Sequence, residues 1–436
     1  MTIRDASLCS VLALLASAMV QAAGPPAPAP RLPLPSAAEY DIIEVDTAQE
    51  LADATWNLSS DQAIVIAPGV YDLSTTIFPN GVDGRLTVGR FGAPPIRNIQ
   101  IRGTTGNPAD TVIHGAGMLA PVVPFGIQVF TASDVTLADF SIGEVYFHAI
   151  MLQGNQGARN VRIYNVRAYD AGQQIIKGSE AGADDVTVEY SRIEYTDGAR
   201  RHPEGAVPNT CYTNGIDVTG GQRWVIRDNR ISRIRCQDGS LAGPAVLAWQ
   251  GAADTVVERN LILDSSRGVS LGLVGSSDHT GGIIRNNLIR WNPAATYAVD
   301  VPIYTTSPGA LLAHNTALVS GRYPNAIEVR FGGATDVAVF ANLLDAGVAA
   351  RNGAQPVLDD NWSDARDAWF VDVATGDLRL SELGLESVPD APRNAGVPLD
   401  CTAESRPPST RVGACEATAG VIFEDGFETW RPNPGR

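Results

Sequence analysis

Lysine is almost missing from this chain: of 32 basic residues only Lys177 is a lysine, and the others are arginine. Aromatic residues are sparse at 7%, and charged residues, at 18%, fall below the quarter of an average globular chain. The five cysteines form no CxxC pair and no HExxH sequence occurs, so nothing supports a structural zinc or a zinc protease. After the first residues no apolar run reaches the length of a membrane span, which excludes an integral membrane segment in the mature chain. Positive charge is in deficit too. Against 48 acidic residues it leaves a net −16, the reverse of the footprint a nucleic-acid binder needs. What the chain has is 43 glycines, 28 prolines and an ordinary 44% of hydrophobic residues, the profile of a folded, turn-rich β protein.

Residues 1–23 read as a secretory signal. Arg4 supplies the charged start, Leu8 to Val20 the apolar stretch, and Val20-Gln21-Ala22 or Gln21-Ala22-Ala23 the small-residue cleavage site. Cys9 lies early in the apolar run and not behind it, which argues against a lipoprotein anchor. The expected location is therefore outside the cytoplasm, extracellular or periplasmic. Residues 24–36 (GPPAPAPRLPLPS) form a Pro/Ala-rich spacer expected to be extended and without a core. Four cysteines remain, and an even number in an oxidising compartment predicts disulfides. Of the three connectivities, Cys211–Cys236 with Cys401–Cys415 closes the shortest loops. Residues 385–436 are Pro-rich and expected to be a loosely ordered tail.

Between residues 62 and 350 one pattern recurs: a short β-branched strand, a polar turn, a second short strand and an Asn after it. The second strands are VRIYN (to Asn165), VTVEYS (to Ser191), WVIRDN (to Asn229), TVVERN (to Asn260), GGIIRNN (to Asn287), ALLAHN (to Asn315) and VAVFAN (to Asn342). Each strand alternates inward apolar and outward polar residues. A coil of this length cannot bury its inner face alone, so coils must stack and share a core. An Asn recurring at one bend can bond to its equivalents above and below. The segments between strands are Gly/Asp/Ser turns and not amphipathic helices, which excludes a βαβ arrangement.

At these residues the chain resembles the right-handed parallel β-helix proteins of the pectate-lyase superfamily. Ala48 to Leu58 (AQELADATWNL) looks like their N-terminal cap helix, followed by QAIVIAPGVYDLS. The resemblance implies an all-β solenoid over residues 37–384. Phrases such as DAGQQIIKGS, YTNGIDV, LAGPAVLAWQG and HTGGIIRNN are similar to those of secreted bacterial β-helix proteins without assigned activity, and FEDGFE (Phe423 to Glu428) resembles a short tail motif of secreted bacterial proteins.

The first strands of the coils align as HAIMLQG, QQIIKGS, NGIDVTG, PAVLAWQ, RGVSLGL, AVDVPIY and NAIEVRF, with the longest loops between coils. Their outward positions would form a shallow groove for an extended polymer, with Gln153, Asp217, Trp249, His279 and Arg330 as candidate substrate contacts. Lys177 is the sharpest signal, because an amine can lose its proton at a site where arginine cannot. In β-elimination from a uronate polymer a base removes the proton beside the carboxylate while a cation steadies the resulting charge. Arg200, Arg201 and His202, on the longest excursion (TDGARRHPEGAVPNTCYT), complete the candidate catalytic set. The arrangement is partly similar to polysaccharide lyase family 6. That likeness assigns Lys177 the role of base and admits calcium as a cofactor, although Gln173 and Gln174 stand where the family carries acids. A hydrolase alternative rests on Asp300 and Glu328, read as corresponding positions of adjacent coils, about 4.8 Å apart and within reach of a retaining pair. YTNGID resembles the NTDGID phrase of polygalacturonases, but Asn214 replaces its first aspartate. The expected partner is an extracellular acidic polysaccharide bound by a monomer. A glycan-binding or attachment protein without catalysis would need only the groove and Trp249.

Overall fold

The computed structural model describes residues 29–416 except 80, 82, 83, 206, 276 and 277. The expected signal sequence, residues 1–23, and FEDGFE lie outside the described residues. Three parallel sheets of twelve, ten and ten strands are wound together, each coil giving one strand to each sheet. The twelve-stranded sheet runs from Asp41–Val45 to Val357–Asp359, the groove sheet from Leu86–Val88 to Gly347–Arg351, and the third sheet from Gly69–Asp72 to Leu343–Leu344. This is the parallel β-helix read from the repeats.

Strand alternation builds the core. In the groove sheet Ile127, Ile150, Ile176, Ile216, Val246, Val269, Ile303 and Ile327 stand in register and point inward, all buried. Stacked β-branched side chains suit this geometry because their rotamers are nearly fixed before packing. The helix Ala48–Trp56 closes the first coil and begins with a capping box between Thr47 and Glu50. It puts Leu51 and Ala52 on the end of the stack.

The expected asparagine ladder forms, with one correction of register. Asn229, Asn260, Asn287, Asn315 and Asn342 each donate the side-chain amide to the next Oδ1 at 2.8–3.0 Å, the last of them to Asn361. Asn165 does not belong to it. It occupies the preceding column, where Asp139, Asn165, Tyr190, Asp228, Arg259, Asn286, His314 and Ala341 all take left-handed φ between 50 and 62°. The Asn165 amide turns instead to Asp139 Oδ1 at 2.7 Å. Asn tolerates left-handed backbone and also caps bends, so one letter served two adjacent columns.

The described parts of the spacer and the tail, residues 29–36 and 385–416, are more tightly held than their composition implied. Within the spacer, Arg102 donates to Pro33 O at 2.7 Å and to Leu32 O at 3.3 Å, and Tyr164 donates to Pro30 O. The tail to residue 416 packs on the third sheet. Outward Leu261, Leu263, Leu288, Leu318 and Leu343 lie beneath Trp369, Phe370, Leu378, Leu380, Val388 and Val412 in a second core. Asn286 donates to Leu399 O at 2.7 Å, and Gly413 N–H donates to Ala341 O at 2.8 Å. Proline content misled here, because ordering came from the sheet below and not from the tail's own propensity.

Candidate functional site

The groove sheet's outward row reads Thr87, Gln128, Met151, Lys177, Asp217, Leu247, Ser270, Tyr304, Glu328. Lys177 is fixed in it from behind. Ile176 points inward, and so does Gly178, whose missing side chain makes room for buried Trp224: a Cβ there would stand 2.5 Å from the indole. The residue between them must face out.

Lys177 and Asp217 are direct neighbours across two strands. The ammonium Nζ lies 2.7 Å from Asp217 Oδ2, and Trp249, one strand further, donates its indole N–H to Asp217 Oδ1 at 2.9 Å. Asp217 is 1% exposed at its side chain and Lys177 16%. Each carboxylate oxygen thus has one donor, and the amine keeps one accessible side. Sequence reasoning named these three residues separately; the register makes them one unit. Gln153 stands at the groove's edge beside Ser179, its amide against Met151 Sδ at 3.6 Å.

The arginine loop is pinned as expected by Cys211–Cys236, and Cys401–Cys415 closes the tail. Its residues do not converge on Lys177. Arg200 is exposed, and Arg201 donates to Asp238 Oδ2 at 2.7 Å. His202 is wholly buried, its ring 4.3 Å from that of Tyr146 and 5.5 Å from that of Phe147. It therefore belongs to an aromatic plug under the loop and not to the groove surface. Gln173 spends its amide on Glu204 O, while Gln174 is buried with both amide atoms unpartnered. Neither offers the acidic oxygens calcium requires, and no group of three or more His, Cys, Asp or Glu among the described residues is placed to hold a metal. The residues do not fit a calcium site.

His279 is also interior. Its two ring nitrogens meet Ser307 Oγ at 2.9 Å and Thr255 Oγ1 at 3.0 Å, and burial lowers its pKa to about 4, only partly countered by Asp278. It cannot touch a polymer. His148 and His314 are likewise depressed to about 3, each first by burial and then by a nearby cation. The sign follows directly. An unfolded chain, with these histidines near 6.5, binds more protons than the native one below that pH, so stability is complete above about 6.5 and falls as pH drops toward the native values. Denaturant titrations at stepped pH are expected to show this acid loss, and His279→Asn to make it shallower. An equally steep loss in the variant would remove His279 from the cause.

The hydrolase pair needs a correction of register. Tyr304, not Asp300, stands opposite Glu328, because Ile303 pairs with Ile327. Asp300 lies before the strand, held by Arg267 Nε at 3.0 Å and by Val301 N–H at 2.8 Å. Glu328 is fully buried and accepts from Tyr323, Asn325, Arg330 and Arg351. Burial pushes both carboxyls up, but these donors outweigh it and hold them below their ordinary values. Neither is suited to donate a proton near neutrality, and Glu328 has no open side for attack. Arg330 itself lies over the Tyr304 ring, 4.7 Å from its centroid.

No family model matches the chain, and no curated protein matches it in sequence. Solved structures do. Pectate lyase Pel9A superposes with a TM-score of 0.59 at 12% identity, covering 87% of this chain and 97% of that one. An alginate lyase from Paenibacillus sp. str. FPU-7 gives 0.48 at 17% identity over 73% and 97% of the two chains. PfbA, a surface adhesin of Streptococcus pneumoniae, gives 0.40 at 14% identity over 74% and 80%. At 12% identity the likeness to pectate lyase Pel9A is one of fold.

Proposed function

We propose that the protein is exported and acts on a uronate-containing polysaccharide laid along the groove sheet, cleaving it by β-elimination with Lys177 as the base. The observation that carries this reading is the Lys177 position: the chain's one lysine stands outward at mid-groove, aimed by buried Asp217, with the Trp249 ring beside it for a sugar to pack on. Docking would strip the remaining water from the ammonium alone, because Asp217 is already buried. As the base, Lys177 would act through its amine, taking the proton beside the uronate carboxylate. The leader sequence and two disulfides support export, and the shared fold of pectate lyase Pel9A supports the substrate class. Exposed Arg200 remains available as a further contact to acidic sugar.

The ion pair itself favours a second reading, a glycan-binding protein without catalysis, because an ammonium already engaged makes a good anion contact. Incubation with a panel of uronate-containing and neutral polysaccharides separates the two. Rising ultraviolet absorbance together with new reducing ends is the expected result. Reducing ends without absorbance would mean hydrolysis and would overturn the elimination. Retention on a uronate column with neither signal would leave the binder.

A further inference from the structure

The outward row places a thioether directly beside the lysine. Met151 stands between Gln128 and Lys177, one strand from each. Two side-chain amides converge on its sulfur: Gln128 Nε2 lies 3.5 Å from Sδ and Gln153 Nε2 3.6 Å. A thioether is a weak acceptor, so two donors are spent where little is gained. Gln128 is buried and its own Oε1 has no partner, so its amide is engaged through the N–H side alone. An oxygen on that sulfur would use both amides well. Oxidation turns the apolar thioether into a polar sulfoxide, whose oxygen is a full hydrogen-bond acceptor. Met151 is 9% exposed and faces outward, so its open part lies on the groove, within reach of an oxidant little larger than water. Among the described residues the four cysteines are closed in disulfides, which leaves Met118 as the other oxidisable sulfur.

We infer that Met151 is an oxidation site for hydrogen peroxide, and that its sulfoxide, held by the Gln128 and Gln153 amides, turns an acceptor oxygen on the Lys177 ammonium. In the step, the sulfur lone pair forms the S–O bond as the O–O bond breaks. The proton of the transferred oxygen passes to the departing hydroxide, so thioether and peroxide become sulfoxide and water. Charge developing on the transferred oxygen meets two N–H donors already in place. Lys177 then has acceptors on both sides, Asp217 on one strand and the sulfoxide on the other. A hydrogen bond to the charged form makes its proton harder to lose. Oxidation thereby weakens the base. The modification stands on the geometry alone, and only this last consequence rests on the reading of Lys177 as the base.

The test treats the intact protein, Met151→Leu and Gln153→Ala with dilute hydrogen peroxide, followed by peptide mass mapping and by magnetic resonance of isotopically labelled lysine. With one lysine in the chain, a single side-chain signal reports on Lys177. Met151→Leu conserves volume and removes the sulfur, so it controls for oxidation elsewhere. Met151 should gain one oxygen ahead of the less buried Met118, and should gain it more slowly in Gln153→Ala. The lysine signal should move on oxidation and its titration midpoint should rise, in the intact protein but not in Met151→Leu. Turnover of a cleaved polysaccharide should fall about tenfold or more, the value of a charge-assisted hydrogen bond, and return with methionine sulfoxide reductase. Oxidation of Met118 while Met151 stays a thioether, an unmoved lysine signal in the Met151 sulfoxide, or an equal shift in Met151→Leu would each overturn the inference. A moved signal with no polysaccharide cleaved, or with cleavage undiminished, would retain the site and defeat the base reading alone.

Discussion

Lys177→Arg is expected to lower turnover by about 10²-fold or more, the usual contribution of a positioned general base, while affinity for the polysaccharide changes little. Arginine keeps the positive charge and can still pair with Asp217, so the groove's electrostatics and the fold survive. It cannot give up its proton, so it cannot serve as the base. Lys177→Met is the poorer probe, because it leaves the buried Asp217 carboxylate with Trp249 as its one donor, and breaking a buried pair costs roughly 3–5 kcal/mol. Initial rates and binding measured on the same preparation check the result. With no second lysine in the chain, acetylation, which removes the amine's basicity, reaches among the lysines only Lys177 and should reproduce the loss chemically. An arginine variant that turns over normally would return Lys177 to the role of anion contact.

Removal of the chain from residue 365 onward is expected to prevent recovery of soluble protein. It would bare Leu261, Leu263, Leu288, Leu318 and Leu343 on one sheet face. Burying a leucine is worth about 1.5–3 kcal/mol, so five approach the whole stability of an ordinary domain. A contiguous apolar face of parallel strands is also an aggregation surface. Expression of the truncated chain, followed by denaturant unfolding of whatever is soluble, decides the matter. A soluble product with an unshifted midpoint would show that the tail is dispensable cover.

The fold was legible because its signal is repeated. Each coil restates an inward β-branched pair and a bend, and errors in one coil are corrected by the next. Asn165 shows the limit: two adjacent columns both accept Asn, and only the backbone tells them apart. The site was legible in its residues but not in its grouping. Lys177, Asp217 and Trp249 were each outward groove positions, yet their union depends on a register that places Thr219, not Asp217, beside Trp249. His202 and His279 failed for a different reason. Polar flanking letters such as SSDHTGG say nothing of whether a loop folds inward, and both rings found partners under it. The tail left one readable sign. LIL at both outward positions, and LIR and TAL at one of the two, keep a leucine where a solvent-facing strand would alternate, the mark of a strand covered on both faces.

That covering segment changes how the coils depend on one another. In a stack of repeats each coil touches only its neighbours, so the last one can peel away, then the next. Here Gly413 bonds to Ala341, Ala414 to Thr316 Oγ1, and Arg406 to Asn286, tying coils that do not touch. Fraying from the carboxyl end cannot proceed one coil at a time, since releasing the last coil also releases contacts made three coils back. The coils from Asn286 to Ala341 therefore open as a block or not at all, and the carboxyl-terminal end of the groove sheet is held by a strap packed on a different sheet of the same coils.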